Sequence, residues 1–219
     1  MTAISATQLR KSYGHYHVLQ DISIDIQLGE CFALFGPNGS GKTTLLKIFA
    51  TLQRPTSGDF SILGHDGLKG KEAIRASMMF LAHGSHLYDE LNAIENLRFG
   101  LSLRGISPSF QEMKKVLDRV EIGAFAEMKL RNFSAGMKKR LALAKAMLAR
   151  PTLLLLDEPF TALDTSGTEI MQSYIREVVE RQGSVFMSTH DSDKTRSIAQ
   201  RAGIIRQGRL EPYALNTST

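Results

Sequence analysis

The chain has 219 residues and a formal net charge of +5 at pH 7, and 42% of its residues are hydrophobic. This composition excludes a disordered or low-complexity chain and suits one large α/β domain with its own core. The single cysteine, Cys31, excludes an intrachain disulfide and favours a reducing compartment. No apolar run approaches ~18 residues, and the first residues lack the apolar core of a signal peptide, so we expect a soluble cytoplasmic protein.

Strands and a glycine-rich loop dominate the first third of the chain. Residues 7–13 and 21–27 are predicted as strands, and the second alternates polar and apolar residues as a half-buried antiparallel strand does. A short apolar strand at 31–35 follows, and then a loop and a helix that runs to about residue 52. Further strands are predicted at 59–63 and 78–82.

The glycine-rich loop is Gly36-Pro37-Asn38-Gly39-Ser40-Gly41-Lys42-Thr43, and a helix-like run begins at Thr44. A loop of this spacing between a strand and a helix is typical of a phosphate-binding P-loop. Its glycines let successive N–H groups point inward at phosphate oxygens, and the helix adds its positive dipole end. Lys42 can reach the β and γ phosphates, and the Thr43 hydroxyl can hold Mg²⁺. The loop therefore predicts a nucleotide site that includes Thr44.

The middle of the chain is predicted to be helical. Apolar residues, among them Leu97 and Leu101, recur at helical spacing from about residue 89 to 130. Ser134 opens a further helix that runs to about residue 149. The Ser134 side chain can cap this helix, and the free N–H groups of Ser134-Ala135-Gly136 at its start can bind a second anion.

Two basic clusters lie in the same region, at Lys114-Lys115 and at Lys138-Lys139-Arg140. Such clusters can attract anionic lipid or nucleic acid, but no aromatic residues interleave them to stack bases. We therefore interpret them as solvated helix faces and expect no nucleic-acid partner.

Acidic and imidazole side chains follow two strands in the last third of the chain. Leu153 to Leu156 is predicted as a buried parallel strand that ends at Asp157 and Glu158. Parallel sheets bind ligands at the carboxyl ends of their strands, so Asp157 is placed to hold Mg²⁺ and Glu158 to polarise an attacking water. His190 follows the next strand, at 184–189, and could contact a terminal phosphate or orient water.

The order of the predicted elements gives the fold class. Helices at 167–181 and 192–201 and a strand at 203–207 complete the alternation of strands and helices. We therefore predict an α/β fold, with a P-loop NTPase core around a mixed sheet, an antiparallel β subdomain and an inserted helical subdomain.

The motifs and their order resemble the ATP-binding-cassette (ABC) ATPase family over nearly the whole chain. The matching segments are Tyr13 as the aromatic residue that stacks on adenine, Gly36 to Thr43 as the Walker A loop, Phe133-Ser134-Ala135-Gly136-Met137 as the signature, Leu153 to Glu158 as Walker B, Ala162-Leu163-Asp164 as the D-loop, and His190 as the switch histidine. The resemblance implies that the cofactors are ATP and Mg²⁺ and that Glu158 is catalytic.

The resemblance also implies an architecture and a set of partners. One ABC ATPase domain spans residues 1–219, with a core of about 1–82 and 150–219 and a helical subdomain of about 85–150. Two domains, in a homodimer or a heterodimer, clamp ATP between one Walker A loop and the partner's signature. Transmembrane permease subunits bind near Leu87, Tyr88 and the helix at 91–104, which makes the chain a peripheral subunit on the cytoplasmic face of the membrane.

Two segments depart from the family pattern. The Q-loop glutamine, which touches Mg²⁺ and water in the family, is missing, and His83 near its place either substitutes for it or leaves the contact unmade. In the signature, Ala135 replaces a glycine and Met137 a glutamine, and either change could slow hydrolysis.

The segment from His83 to Gly105 is similar to the haem-exporter ATPase subunit of bacterial cytochrome c maturation, in which a His occupies the Q-loop position. This resemblance implies an exporter, and exporters of drugs, lipids or polysaccharides share much of the pattern. Two other classes stay open: an ATP-driven assembly module with very slow turnover, and a soluble ABC ATPase that acts on DNA or ribosomes. The last class usually has tandem cassettes or a long coiled-coil insertion, and neither is visible in the sequence.

Overall fold

A computed structural model describes residues 1–82 and 87–215, and within these ranges the chain forms ten β-strands and seven α-helices. The strands are β1 (Thr2–Tyr13), β2 (Tyr16–Gln27), β3 (Cys31–Phe35), β4 (Ser57–Ile62), β5 (His65–Asp66), β6 (Met78–Leu81), β7 (Leu153–Asp157), β8 (Ser184–Ser188), β9 (Arg201–Arg206) and β10 (Arg209–Pro212). The helices are α1 (Lys42–Phe49), α2 (Lys71–Ser77), α3 (Ala93–Ser102), α4 (Phe110–Arg119), α5 (Ala135–Ala149), α6 (Thr165–Glu180) and α7 (Ser192–Thr195).

The strands form two sheets. An antiparallel sheet has the order β2-β1-β4-β5. The second sheet has the order β10-β9-β3-β8-β7-β6 and is parallel except for its edge strand β10, which runs antiparallel to β9. Because β3, β8 and β7 are parallel neighbours, their carboxyl ends meet at one edge, and the loops that follow them can form one site.

The central strands are buried on both faces, which explains their continuous apolar sequences. In β7, Leu153 and Leu155 face a cluster that includes α1 and the antiparallel sheet, whereas Leu154 and Leu156 face a cluster that includes α3 to α6. Side chains alternate across a strand, so one run of four leucines packs against both layers. This packing fixes the carboxyl end of β7, where the acidic residues lie.

Capping residues delimit the two helices that follow β6. Asn92 and Glu95 form a capping box at the start of α3, and Ser109 and Glu112 form another at the start of α4. Each cap satisfies backbone N–H groups that a continuous helix would have to bond internally. The helical region predicted over 89–130 is therefore divided into two helices.

The predicted fold class is confirmed, since the described chain contains the parallel core, the antiparallel sheet and the helices between β6 and β7. Strands β5 and β10 and helix α2 were not predicted, because such short elements lack a clear hydrophobic period. None of the helices in residues 1–82 and 87–215 has the length and apolar character needed to cross a membrane.

The helix predicted at 192–201 is wrong beyond Thr195, where α7 ends. Gln200 instead bonds to β3: its N–H donates to the carbonyl of Cys31 (3.0 Å), and its side-chain oxygen accepts from the N–H of Cys31 (2.6 Å). These bonds draw the segment into the sheet, and β9 begins at the next residue.

The prediction of a solvated basic face at Lys138-Lys139-Arg140 is wrong for two of its three residues. Lys138 pairs with Asp89 near the surface at 2.6 Å. In contrast, Arg140 is only 7% exposed, and Lys139 is half-buried with its ammonium group against the backbone of Glu158. A continuous run of basic letters therefore covers three different environments, because successive helical residues point in different directions.

Candidate nucleotide site

The loop between β3 and α1 has the backbone that its glycines permit. Gly36, Gly39 and Gly41 all have positive φ values, of 148°, 79° and 106°. A Cβ on Gly36 would lie 2.6 Å from the Oγ of Ser40, and one on Gly41 would lie 2.8 Å from a side-chain carbon of Leu19. Larger residues are therefore excluded at both positions by conformation and by space.

Lys42 lies inside this loop with only 6% of its surface exposed. Its Nζ donates hydrogen bonds to the carbonyls of Gly36 (2.6 Å) and Pro37 (3.2 Å) and lies 4.0 Å from Oε1 of Glu158. A buried ammonium group needs such partners because its desolvation is costly. The loop thus holds one positive charge beside the helix N-terminus, an arrangement suited to a phosphate chain.

The end of β7 provides oxygen ligands next to the loop. Asp157 is buried, and its Oδ2 accepts a hydrogen bond from the hydroxyl of Thr43 (2.8 Å) while Oδ1 accepts one from Ser188. Hydroxyl and carboxylate oxygens are hard ligands of the kind that Mg²⁺ prefers. The described residues contain no group of three or more His, Cys, Asp and Glu that could hold a metal ion. Thr43 and Asp157 therefore offer two oxygen donors that would suit Mg²⁺.

Glu158 lies beside Lys42 in the cleft. Its carboxylate Oε2 is 2.9 Å from Nδ1 of His190. Its backbone N–H donates to the carbonyl (3.1 Å) and Oγ (3.2 Å) of Ser188, and its carbonyl accepts from Lys139. The Glu158 side chain is 19% exposed and lines the cleft, so its carboxylate can reach a water molecule there.

One cleft of about 730 Å³ collects most of the predicted residues. It is lined by Val18, Asn38, Gly39, Ser40, Gly41, Lys42, Thr43, Thr44, Lys47, Ala82, Asp157, Glu158, Thr161 and His190. Gly36 and Pro37 do not line the cleft, but their carbonyls accept hydrogen bonds from Lys42. The position predicted for the Q-loop contact, His83, lies outside the described residues.

The signature residues do not line this cleft. Ser134 caps α5 by accepting a hydrogen bond from the N–H of Met137 (3.2 Å), and Ala135 is exposed. At Gly136, a Cβ would lie 2.7 Å from the carbonyl of Ala162. The signature is therefore packed against the D-loop of its own chain, while its exposed end is available to another molecule.

Two other predicted residues also lie outside the cleft lining. Tyr13 is 51% exposed, its hydroxyl accepts a hydrogen bond from the Gln53 amide, and Lys11 lies over its ring at 5.0 Å. Asp164 caps α6 by accepting a hydrogen bond from the N–H of Gly167 (2.9 Å). This hydrogen bond and the Arg140 guanidinium hold the pKa of Asp164 below its usual range.

Sequence reasoning missed two residues that support the site, Ser188 and Lys139. Ser188 is fully buried and bonds to both Asp157 and Glu158. Ser188 ends the strand that lies beside β7, and the carboxyl ends of neighbouring parallel strands meet at one edge. Its position could therefore have indicated a contact with Asp157 or Glu158. Lys139 gave no such signal, since its contact depends on how α5 packs against β7.

The fold and the cleft define a nucleotide-binding protein of the P-loop class. A comparison with protein-family models matches residues 19–161 to the ABC transporter family. The match covers more than half of the chain, so the chain belongs to this family, as one of its ATP-binding ATPase domains.

Curated relatives and solved structures agree with this assignment. A sulfate/thiosulfate import ATP-binding protein of Mesorhizobium japonicum is 36% identical over 95% of this chain and 62% of its own length. The protein of the same description from Escherichia coli K12 is 36% identical over 95% of this chain and 59% of its own length. The chain thus spans about 60% of the length of these relatives.

Two solved structures have the same fold. One is described as the ATP-binding subunit of an ABC transporter, with a TM-score of 0.87 and 28% identity over 95% of this chain and 88% of that one. The other is a dimeric ATP-binding cassette in a post-hydrolysis state with ADP and Pi, with a TM-score of 0.87 and 28% identity over 98% of this chain and all of that one. The subgroup resemblance to haem exporters is not confirmed by these relatives.

Proposed function

We propose that this chain hydrolyses ATP with Mg²⁺ to power transport by membrane-embedded permease subunits. One observation carries the proposal: Lys42, the Thr43–Asp157 pair and Glu158 converge on one cleft at the carboxyl edge of the parallel sheet. The fold supplies the edge, the glycine loop supplies the phosphate cradle, and the acidic end of β7 supplies the oxygen ligands and a base.

Each side chain has a role that its position supports. The N–H groups of the loop and Lys42 bind the phosphates, and Thr43 and Asp157 would hold Mg²⁺, which neutralises charge on the phosphate oxygens. Glu158 orients and deprotonates the attacking water. His190 donates to the terminal phosphate or fixes the Glu158 carboxylate, with which it already makes a 2.9 Å contact.

The exposed signature supports a head-to-tail pair of ATPase domains. Ala135 lies at the N-terminal end of α5, away from the cleft of its own chain, and helix N-termini bind anions. In a pair, this end of α5 would contact the nucleotide held by the partner. One solved neighbour is itself a dimeric cassette, which supports such a pairing here.

An aromatic surface at Tyr88 and Phe99 supports the permease contact that the sequence predicts near Leu87 and Tyr88. Tyr88 is 51% exposed and packs edge-on against Phe99 at 4.8 Å. Buried Asn96 bonds to both the N–H (2.8 Å) and the carbonyl (3.0 Å) of Tyr88 and so fixes this loop. A docked permease would place the chain as a peripheral subunit on the cytoplasmic face of the membrane.

The direction and the cargo rest on likeness to other proteins. The curated relatives are named as import proteins for sulfate and thiosulfate, which favours import of a small oxyanion. Haem export, as in cytochrome c maturation, is the competing hypothesis, and the observation in its favour is His83 at the Q-loop position. The two hypotheses differ in which compound stimulates the ATPase of the chain in complex with its co-purified permease. We expect sulfate to stimulate an importer complex and haem to stimulate an exporter complex.

Replacing Glu158 by Gln tests the proposed hydrolysis. We expect Glu158→Gln to abolish turnover, because the amide cannot accept a proton from water, and to preserve ATP binding. A matched control is Glu169→Gln on the exposed face of α6, which should hydrolyse ATP like the wild type. Undiminished turnover in Glu158→Gln would contradict the proposal. Slow turnover of the wild type both with and without a permease would favour the assembly-module alternative.

A further inference from the structure

Helix α5 contacts the turn that follows β7, where Glu158 lies. Lys139 lies on this part of α5, and its Nζ donates a hydrogen bond to the backbone carbonyl of Glu158. We propose that Lys139 is a positioning residue for Glu158, whose ammonium group holds the backbone turn that directs the Glu158 carboxylate into the cleft. This inference rests on the proposed function, because it concerns the efficiency of the same hydrolysis.

The backbone turn at Glu158 needs support. Its φ is +49°, in the left-handed region that residues other than glycine seldom adopt. On the N–H side, Ser188 supplies two acceptors. On the carbonyl side, the N–H of Thr161 lies 3.4 Å away, and Lys139 supplies a charged donor. Charge-assisted hydrogen bonds are about twice as strong as neutral ones, so the ammonium group provides the main contact on this side.

The direction of the Glu158 side chain depends on this turn. Its two carboxylate oxygens lie 4.0 Å from Nζ of Lys42 and 2.9 Å from Nδ1 of His190. A general base must lie within hydrogen-bond reach of the water it activates, and a displacement of about 1 Å can cost ~100-fold in rate. A relaxed turn at Glu158 would move the carboxylate relative to both neighbours.

The packing of Lys139 also makes this contact sensitive to pH. Burial lowers the pKa of Lys139 to about 8, and the facing carboxylates Glu158 and Asp157 oppose only part of that effect. The flanking basic residues of α5 are paired elsewhere, Lys138 with Asp89 and Arg140 with Glu121 and Asp164. Lys139 therefore carries its charge below about pH 8 and loses it above, so the hold on Glu158 weakens on the alkaline side.

Two substitutions at Lys139 separate positioning from packing. Lys139→Met keeps the aliphatic length and removes the donor, and Lys139→Gln keeps an uncharged donor. The full chain is assayed for kcat, KM and ATP affinity from about pH 6.5 to about pH 9.5. We expect Lys139→Met to lower kcat about tenfold with the Kd for ATP changed less than about twofold. We expect Lys139→Gln to recover part of kcat and to lack the alkaline decline of the wild type.

A matched control is Lys145→Met on the same helix. Burial also lowers the pKa of Lys145, but its side chain packs at Gly100 of α3, away from Glu158. We expect this variant to keep the kcat and the pH profile of the wild type.

Three results would overturn the proposal: an unchanged kcat in Lys139→Met, a loss confined to ATP affinity, or an alkaline decline in Lys139→Gln equal to that of the wild type. If Lys139→Met fails to fold in a thermal melt, Lys139→Gln decides by the same measurements, and a kcat equal to that of the wild type would overturn the proposal. The proposed function fails separately, if the wild type itself shows no ATP hydrolysis.

Discussion

Ser188 connects the two acidic residues at the end of β7. Its hydroxyl donates to Asp157 and accepts from the backbone N–H of Glu158 (3.2 Å), and the side chain is fully buried. A buried group that loses its hydrogen-bond partner costs roughly 1–3 kcal/mol. One hydroxyl thus orients the carboxylate proposed for the metal and the backbone of the residue proposed as the base.

The variant Ser188→Ala should therefore lose both stability and turnover. We expect the free energy of unfolding to fall by about 1–3 kcal/mol, measured by urea denaturation, and kcat to fall while the Kd for ATP changes little. Ser184 is a matched control at the other end of β8, because its hydroxyl is equally buried but bonds to Gly29 and Gln27. Ser184→Ala should lose similar stability with an unchanged kcat. Equal kcat losses in the two variants would contradict an orienting role for Ser188.

The ammonium group of Lys42 gives a second prediction for a single residue. A charge-assisted hydrogen bond is worth about 1.5–3 kcal/mol, so Lys42→Ala should raise the Kd for ATP by at least about tenfold. Titration calorimetry with Mg²⁺ present measures this change. Lys114 is exposed on α4 and does not line the cleft, so Lys114→Ala removes the same charge and should bind ATP like the wild type. Equal affinities in all three proteins would show that Lys42 does not contact phosphate.

Among the secondary-structure elements, α4, α5 and α6 are joined by one buried side chain. Arg140 of α5 donates to the carbonyl of Val120 (2.9 Å), to Glu121 (2.8 Å) and to Asp164 at the start of α6 (2.6 Å). Asp164 belongs to the D-loop, against which Gly136 of the signature also packs. The helix that carries the signature is therefore fixed to the D-loop by both a charge pair and a close backbone contact.

This junction predicts a pH dependence of stability. A hydrogen bond from Ser166 and the Arg140 guanidinium hold the pKa of Glu121 below its usual range, and the pKa of Asp164 is lowered as well. A carboxyl group whose pKa is lower in the folded than in the unfolded protein stabilises the fold at pH values above its unfolded pKa. This stabilisation is lost as the pH falls through the pKa of the folded state. The difference in Tm between the wild type and Arg140→Met should therefore be largest near pH 7 and narrow below about pH 4. If the Tm difference between the wild type and Arg140→Met stayed constant over this pH range, the ion pairs of Arg140 would have no role in stability.

The sequence predicted the elements that have strong local signals and missed those that depend on tertiary pairing. The loop at Gly36 to Thr43 and the acidic end of β7 are set by local spacing, and they lie together because parallel strand ends share an edge. The helix predicted through Gln200 failed because that residue bonds to Cys31, far away in the chain. Arg140 and Lys139 were interpreted as solvated because adjacent basic letters do not reveal which helix face is buried.

In the whole molecule, the surfaces proposed for nucleotide, permease and partner lie on different parts of the chain. The cleft lies at the edge of the parallel sheet, the aromatic surface at Tyr88 and Phe99 lies around α3, and the signature lies at the start of α5. Contacts from α5 reach both Glu158, through Lys139, and the D-loop, through Arg140. Helix α5 therefore connects the signature and the D-loop to the backbone of Glu158.

The aromatic surface predicts a variant that separates hydrolysis from transport. A carboxylate at an apolar docking surface would have to lose its hydration when the permease binds, so Tyr88→Glu should uncouple transport from hydrolysis. Nucleotide binding should be unchanged, because Tyr88 does not line the cleft. The measurement is transport and ATPase activity in vesicles that contain the permease. Coupling at the level of the wild type would contradict this docking surface.

The head-to-tail pairing predicts that a signature variant binds ATP normally but cannot pair. Ala135 is exposed and lies outside the cleft of its own chain, so Ala135→Glu should leave the Kd for ATP unchanged in the isolated chain. A carboxylate is tolerated at a helix N-terminus, so folding should be preserved, but it would repel the phosphates held by the partner. Glu158→Gln should trap the ATP-bound dimer, so the pairing is tested in this background. Size-exclusion chromatography with ATP should show a dimer for Glu158→Gln and a monomer for the double variant that also carries Ala135→Glu. An ATP-driven dimer of the double variant would place the signature outside the interface, and a loss of ATP affinity in Ala135→Glu would place it at the nucleotide of its own chain.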